Sequence, residues 1–136
     1  MTIYCDGGSR GNPGSAACAF VVVEDDAVVF KEGKHLGIET NNVAEYTAVL
    51  QAVKWLSKEK ITNSKSQVII NLDSQLVERQ LNGFYKVKNE KLGILYDKIK
   101  LQITNYKLQI KFQWGYRSKN SIADDLVNET LDLHQK

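Results

Sequence analysis

The chain has 136 residues, enough for one domain with a closed apolar core. Hydrophobic residues make up 43% and charged residues 25%, which excludes a disordered chain, and no stretch reaches the roughly 20 apolar residues of a membrane span. A net charge of +2 permits a polyanionic partner without pointing to one, and two cysteines exclude a disulfide framework or a zinc pattern.

The chain opens on a strand over residues 2–6, starting Thr2-Ile3-Tyr4-Cys5. No basic segment followed by an apolar region precedes it, so no signal peptide is expected. Cys5 and Cys18 read as small core residues of a protein in the reducing cytoplasm. Gly11-Asn12-Pro13-Gly14 is a loop by each local signal. Ala17 to Val23 is a continuous apolar run, Glu24-Asp25-Asp26 a turn, and Ala27 to Leu36 a returning strand. Three strands on short connections predict an antiparallel meander.

Tyr46, Val49, Leu50, Val53 and Leu56 then form an amphipathic helical stripe, with Asn42 as N-cap and Glu45 three residues on as its capping-box partner. Val68 to Leu72 reads as a buried strand ending at Asp73. Helices are expected at about 75–81 and about 90–104, the second with Leu92, Leu95, Tyr96, Ile99 and Ile103 on one face. Leu108, Ile110, Phe112 and Trp114 alternate with polar residues, the mark of a half-buried strand. A last helix covers about 121–133. The order βββ-α-β-α-α-β-α predicts an α/β domain, a mixed sheet with helices on its faces. Lysines crowd the stretch after residue 85, which for a charge run is most often a solvated face.

Four acids end or begin these elements, and each has an ordinary explanation. Asp6 precedes Gly-Gly as a turn aspartate would, and Glu45 could serve only the capping box. Asp73 could cap the short helix, and Ser121 to Asp124 matches a second capping box. Their joint placement weighs differently, because all four can converge on one end of a sheet. Such a cluster repels itself and is costly to desolvate, so it calls for cations; oxygen ligands without His or Cys suit Mg²⁺ or Mn²⁺. On the last helix Ala123, Leu126, Val127 and Thr130 define the buried face. Asp124 flanks that face while Asp125 turns toward solvent with Glu129 and Asp132, so Asp124 is assigned to the cluster.

These residues fall in four segments: Tyr4 to Gly14, Thr40 to Glu45, Asn71 to Gln75 and Arg117 to Asp124. Together, in order and across nearly the whole chain, they resemble the motifs of type 1 ribonucleases H. The resemblance implies a single domain over residues 1–136 with the ribonuclease H-like fold, a five-stranded mixed sheet flanked by helices. It implies an endoribonuclease that hydrolyses the RNA strand of RNA–DNA hybrids, with Asp6, Glu45, Asp73 and Asp124 holding two Mg²⁺ or Mn²⁺ ions. The products would be 5′-phosphate and 3′-hydroxyl ends. By the same resemblance Asn12, Asn41 and Gln75 contact the minor groove, and Thr40 with Asn41 holds a DNA phosphate. Gly8 and Arg117 join them as substrate-binding candidates. A nuclease preferring double-stranded RNA, and a hybrid-binding module without turnover, are the alternatives. Nothing in the chain demands more than a monomer.

Two departures stand out. Many relatives carry a histidine three residues before the arginine of the fourth motif, where this chain has Trp114; His35 and His134 lie elsewhere. Some relatives also insert a basic, tryptophan-containing handle that grips the hybrid. Here only Asn82 to Asn89 joins the two helices, with Tyr85, Lys86 and Lys88 as a reduced grip, which resembles a compact archaeal and bacterial branch.

Overall fold

The computed structural model describes residues 1–59 and 67–134. Strands β1 (Thr2–Arg10), β2 (Gly14–Glu24) and β3 (Ala27–Glu39) lead into helix α1 (Asn41–Lys58). Then follow β4 (Val68–Leu72), α2 (Gln75–Leu81), α3 (Glu90–Asn105), β5 (Ile110–Trp114) and α4 (Asn120–Leu133). The five strands form one mixed sheet in the order β3-β2-β1-β4-β5. The first three pair antiparallel, while β4 adds parallel to β1 and β5 parallel to β4.

The meander is longer than its apolar residues suggest. Pairing runs from Thr2↔Val23 to Arg10↔Ser15, so Gly7 and Gly8 lie inside β1 rather than in a loop. At the next hairpin Asp25 (φ 52°) and Asp26 (φ 64°) both take the left-handed conformation that a tight two-residue turn needs and that aspartate tolerates.

Helices cover both faces of the sheet. On one, Ile3, Cys5, Phe20, Val22, Ile70 and Leu72 pack with Tyr46, Val49, Val53 and Leu56 of α1 and with Leu92 and Ile99 of α3. On the other, Ala17, Ala19, Val21 and Val23 meet Ala123, Val127 and Leu131 of α4. Covered on both sides, β2 has no solvent face, and this explains an unbroken apolar run in place of alternation. Each fully buried Val or Leu here contributes about 1.5–3 kcal/mol of transfer free energy. Of the residues expected to alternate inward, Leu108, just before β5, and Phe112 are buried, whereas Trp114 at the end of β5 is 45% exposed.

Cys5 and Cys18 are free and buried in the core, and burial pushes the Cys18 thiol up to about 12. Among the described residues no helix is long and apolar enough to cross a membrane.

Candidate active site

The sheet brings two of the four acids side by side. The parallel register of β1 and β4 ends at Cys5↔Leu72, so the next residues along, Asp6 and Asp73, emerge together from adjacent strands at the middle of the sheet. Asp6 is buried, and its Oδ1 accepts a hydrogen bond from its neighbour's amide, Gly7 N, at 2.9 Å.

Glu45 reaches the same place from α1. The helix N-cap is Thr40, not Asn42 as the capping-box pattern suggested, and Thr40 Oγ1 accepts from Val43 N at 3.2 Å. Glu45 is thereby released from cap duty. Its approach depends on Gly7, where a Cβ would stand 2.3 Å from the carbonyl carbon of Ala44 and 2.5 Å from Glu45 N. The missing side chain is what lets the first turn of α1 lie on β1 beside Asp6.

Asp73 is likewise free of a cap role: Ser74 caps α2, its Oγ accepting from Val77 N at 3.3 Å. At α4 the expected Ser121 capping box is absent. Lys119 occupies the N-cap position without a side-chain hydrogen bond, and Ser121 Oγ instead donates to Ser118 O. From α4, one turn in from its start, Asp124 comes close enough to Asp6 and Asp73 for its charge to act on both.

The electrostatics are those of a strained cluster. Burial raises the Asp6 carboxyl to about 7, helped by the charges of Asp73 and Asp124. Burial raises Glu45 to about 8, with Asp6 and Asp73 adding to it. Asp73 is raised too, by burial and then by Asp124. Glu45 Oε2 is buried and has no hydrogen-bond partner, a condition that normally costs free energy. Among the described residues no three acid, His or Cys side chains already enclose one ion-sized point. That is compatible with Mg²⁺, which usually takes one or two carboxylates and fills its octahedron with water and substrate phosphate oxygens.

The substrate-binding candidates divide into groups. Asn12, Thr40 and Asn41 converge where the β1–β2 hairpin meets α1: Asn41 N donates to Asn12 Oδ1 at 3.0 Å, and Ser9 donates to Asn41 Oδ1 through N and Oγ. These bonds engage both side-chain oxygens and leave both amide nitrogens without a hydrogen-bond partner among the described residues. Beside them Asn12, Thr40, Asn42, Asn89 and Lys91 line a hollow. Asn89 and Lys91 were not singled out as site residues from the sequence; Lys91 was visible only as one of the lysines crowding the stretch after residue 85, and Asn89 caps α3, its Oδ1 accepting from Leu92 N. Gly8 sits in β1 against Val127, and Gln75 is exposed at the start of α2, two residues from Asp73. Arg117 stands apart in the turn before α4, its Nη1 donating to Tyr116 O. The two histidines do not approach the cluster: their rings stack at 4.2 Å where β3 meets the end of α4.

The fold and these motifs match known proteins along the whole chain. The reverse transcriptase-like family matches residues 4–130. The compost-derived LC11-RNase H1, solved in complex with an RNA/DNA hybrid, superposes with a TM-score of 0.91 at 34% identity, over 99% of each chain. The chain belongs to the type 1 ribonuclease H family. Another family structure, RNase H1 of the archaeon Halobacterium salinarum, has a TM-score of 0.84 at 34% identity over 96% of each chain. A bifunctional protein of Mycobacterium tuberculosis is 34% identical over 97% of this chain. The chain spans 35% of the length of that relative and 63% of the curated Halobacterium ribonuclease HI.

Proposed function

We propose that this chain is an endoribonuclease that hydrolyses the RNA strand of RNA–DNA hybrids with two divalent ions, Mg²⁺ or Mn²⁺, leaving 5′-phosphate and 3′-hydroxyl ends. The observation that carries this reading is the four-acid cluster, in which a buried carboxylate oxygen of Glu45 lacks any partner. Without a cation such a group stays buried by holding a proton, and a bound cation supplies the positive charge in the proton's place.

Asp6 and Glu45, the two inner acids, would supply the buried ligand oxygens, and Asp73 and Asp124 would hold the open side toward substrate. When bound, the ion pair supplies Lewis-acid stabilisation of charge on the scissile phosphate and lowers the pKa of the attacking water. The chain need offer no covalent nucleophile, and the nearest thiol, Cys5, is buried with its pKa pushed well up. The amide nitrogens of Asn12 and Asn41 are suited to minor-groove acceptors and 2′-hydroxyls, which distinguish an RNA strand from DNA. The hollow lined by Thr40 and Asn89 offers a hydroxyl and an amide to a backbone phosphate, while Lys91 at its edge is paired with Glu39. Similarity to LC11-RNase H1, solved with a hybrid, supports the choice of substrate.

The test is cleavage of end-labelled RNA presented as hybrid, as RNA duplex and as single strand, with Mg²⁺, Mn²⁺ or chelator, beside Asp73→Asn. Metal-dependent cutting of the hybrid alone, lost in the variant, is the expected result. Equal cutting of RNA duplex would move the substrate assignment, and binding without cutting would overturn the catalytic reading.

A further inference from the structure

Three of the four helices begin with a side chain that caps their own amides: Thr40, Ser74 and Asn89. Helix α4 has no such bond. Its first residue, Asn120, is held from outside. Asn71, a polar residue 1% exposed in the otherwise apolar strand β4, donates through Nδ2 to Asn120 Oδ1 at 3.0 Å and to Gly115 O at 3.1 Å. Asn120 Nδ2 donates to the same Gly115 carbonyl at 3.3 Å, and Gly115 N donates to Leu72 O. Asn71 Oδ1 in turn accepts from Gln113 Nε2 at 3.3 Å, so each of its polar atoms is engaged.

This clasp lies next to two of the acids. Asn71 stands two residues before Asp73, a spacing that returns to the same face of a strand. Asn120 stands four residues before Asp124, a spacing that returns to the same face of a helix. Fixing Asn120 on Asn71 therefore fixes the start of α4, and with it Asp124 one turn further on, against the end of β4, which Asp73 directly follows. A lone exposed acid on an uncapped helix end would otherwise drift from carboxylates that repel it. The feature exists because the strand spends a buried position on an asparagine where Val, Ile or Leu would pack.

We propose that Asn71 and Asn120 are positioning residues that hold Asp124 against Asp6 and Asp73 in a geometry able to share divalent ions. The proposal rests on the reading of the four acids as an ion-binding cluster. Residues that orient ligands in this way cost about 10–100-fold in metal affinity or activity when removed. A residue serving only the fold would lower the melting temperature alone.

The experiment compares the full chain with Asn71→Ala and Asn120→Ala by thermal melting with chelator and with Mn²⁺, and by hybrid cleavage well below each midpoint. Asn120→Ser, which starts a helix but is too short to reach Asn71, replaces the alanine variant if that does not fold. The expected result is a Mn²⁺-induced rise in melting temperature cut to less than half that of the parent chain. A kcat lowered by about tenfold or more, with KM nearly unchanged and partial recovery at high Mn²⁺, should accompany it. Variants that melt lower but keep the full metal-induced rise and the parent kcat would overturn the proposal. A parent chain stabilised by Mn²⁺ that cuts no hybrid would sink the activity reading alone, with the melting comparison still deciding the clasp. A parent chain that Mn²⁺ does not stabilise would overturn both.

Discussion

Gly7 and Ala44 meet backbone to backbone, and a methyl group on Gly7 would lie 2.3 Å from the Ala44 carbonyl carbon. The obstacle is main chain, which cannot rotate away, so the first turn of α1 must lift if that space is filled. Gly7→Ala should cost about 1–3 kcal/mol as an overpacked site. Because the peptide that must move joins Ala44 to Glu45, hybrid cleavage should fall further than the lost stability explains. Melting and single-turnover cleavage, measured together at a temperature where the variant is fully folded, check this. A folded Gly7→Ala with the parent rate would show that Glu45 does not depend on the contact.

Asp73→Asn removes one charge from a cluster in which Asp73 raises the carboxyls of both Asp6 and Glu45. Without metal the change should leave the melting temperature level or higher, because repulsion is relieved and Ser74, not Asp73, caps α2. Cleavage should be lost in the same variant. Melting in chelator decides between the two roles: a drop matching the roughly 1 kcal/mol of a lost cap would return Asp73 to a structural duty.

The class and order of the elements were legible because the periodicities are strong, as in the stripe from Tyr46 to Leu56 and the alternation up to Phe112. The capping residues were not, and the reason bears on the site. Asn42, Asp73 and Ser121 all fit capping patterns, since these patterns need only a short polar side chain near a helix start. The backbone instead places Thr40 and Ser74 as caps and leaves α4 without one. Each misplaced cap had given an acid an innocent role. Asn71 was legible only as a polar interruption in Val-Ile-Ile-Asn-Leu; its partners Gly115, Gln113 and Asn120 lie more than 40 residues away in sequence and only the fold brings them together.

Raised carboxyls set the sign of the pH dependence. Asp6 rises from 3.8 to about 7 and Glu45 from 4.5 to about 8 on folding. Between the unfolded and folded values the native chain holds more protons than the unfolded one, so stability declines as pH rises through that window. The metal-free protein should therefore melt higher at pH 5 than at pH 8, by an amount on the order of a few kcal/mol in unfolding free energy. Saturating Mg²⁺ should reverse the trend, because ions compete with protons for the same oxygens and bind best once those protons have left. Melting curves from pH 4.5 to 8.5, in chelator and in Mg²⁺, test it. A metal-free curve that rises with pH would mean that the cluster is not repulsive.

The connection between α2 and α3 exposes Phe84 and Tyr85 beside Lys86 and Lys88, and none of these side chains is spent on an ion pair among the described residues. Lys91 and Lys100, by contrast, are already engaged. Lys91 pairs with Glu39; Lys100 donates to Leu81 O and lies over the Tyr96 and Phe112 rings. Lys86 and Lys88, beside the exposed Phe84 and Tyr85, are thus lysines of this run placed to meet nucleic-acid phosphates. Changing both to Ala should raise KM for hybrid, leave kcat unchanged at saturation and reduce the slope of log affinity against log salt by about 1–2. The same change at Lys100 should instead lower stability, since it removes a hydrogen bond at the end of α2 and two cation–π contacts from a half-buried site. Salt-dependent binding on a chelated, non-cleaving sample separates the two cases. An unchanged slope for the Lys86, Lys88 double variant would show that this connection does not touch the hybrid and that the grip lies with the Asn12–Thr40 hollow.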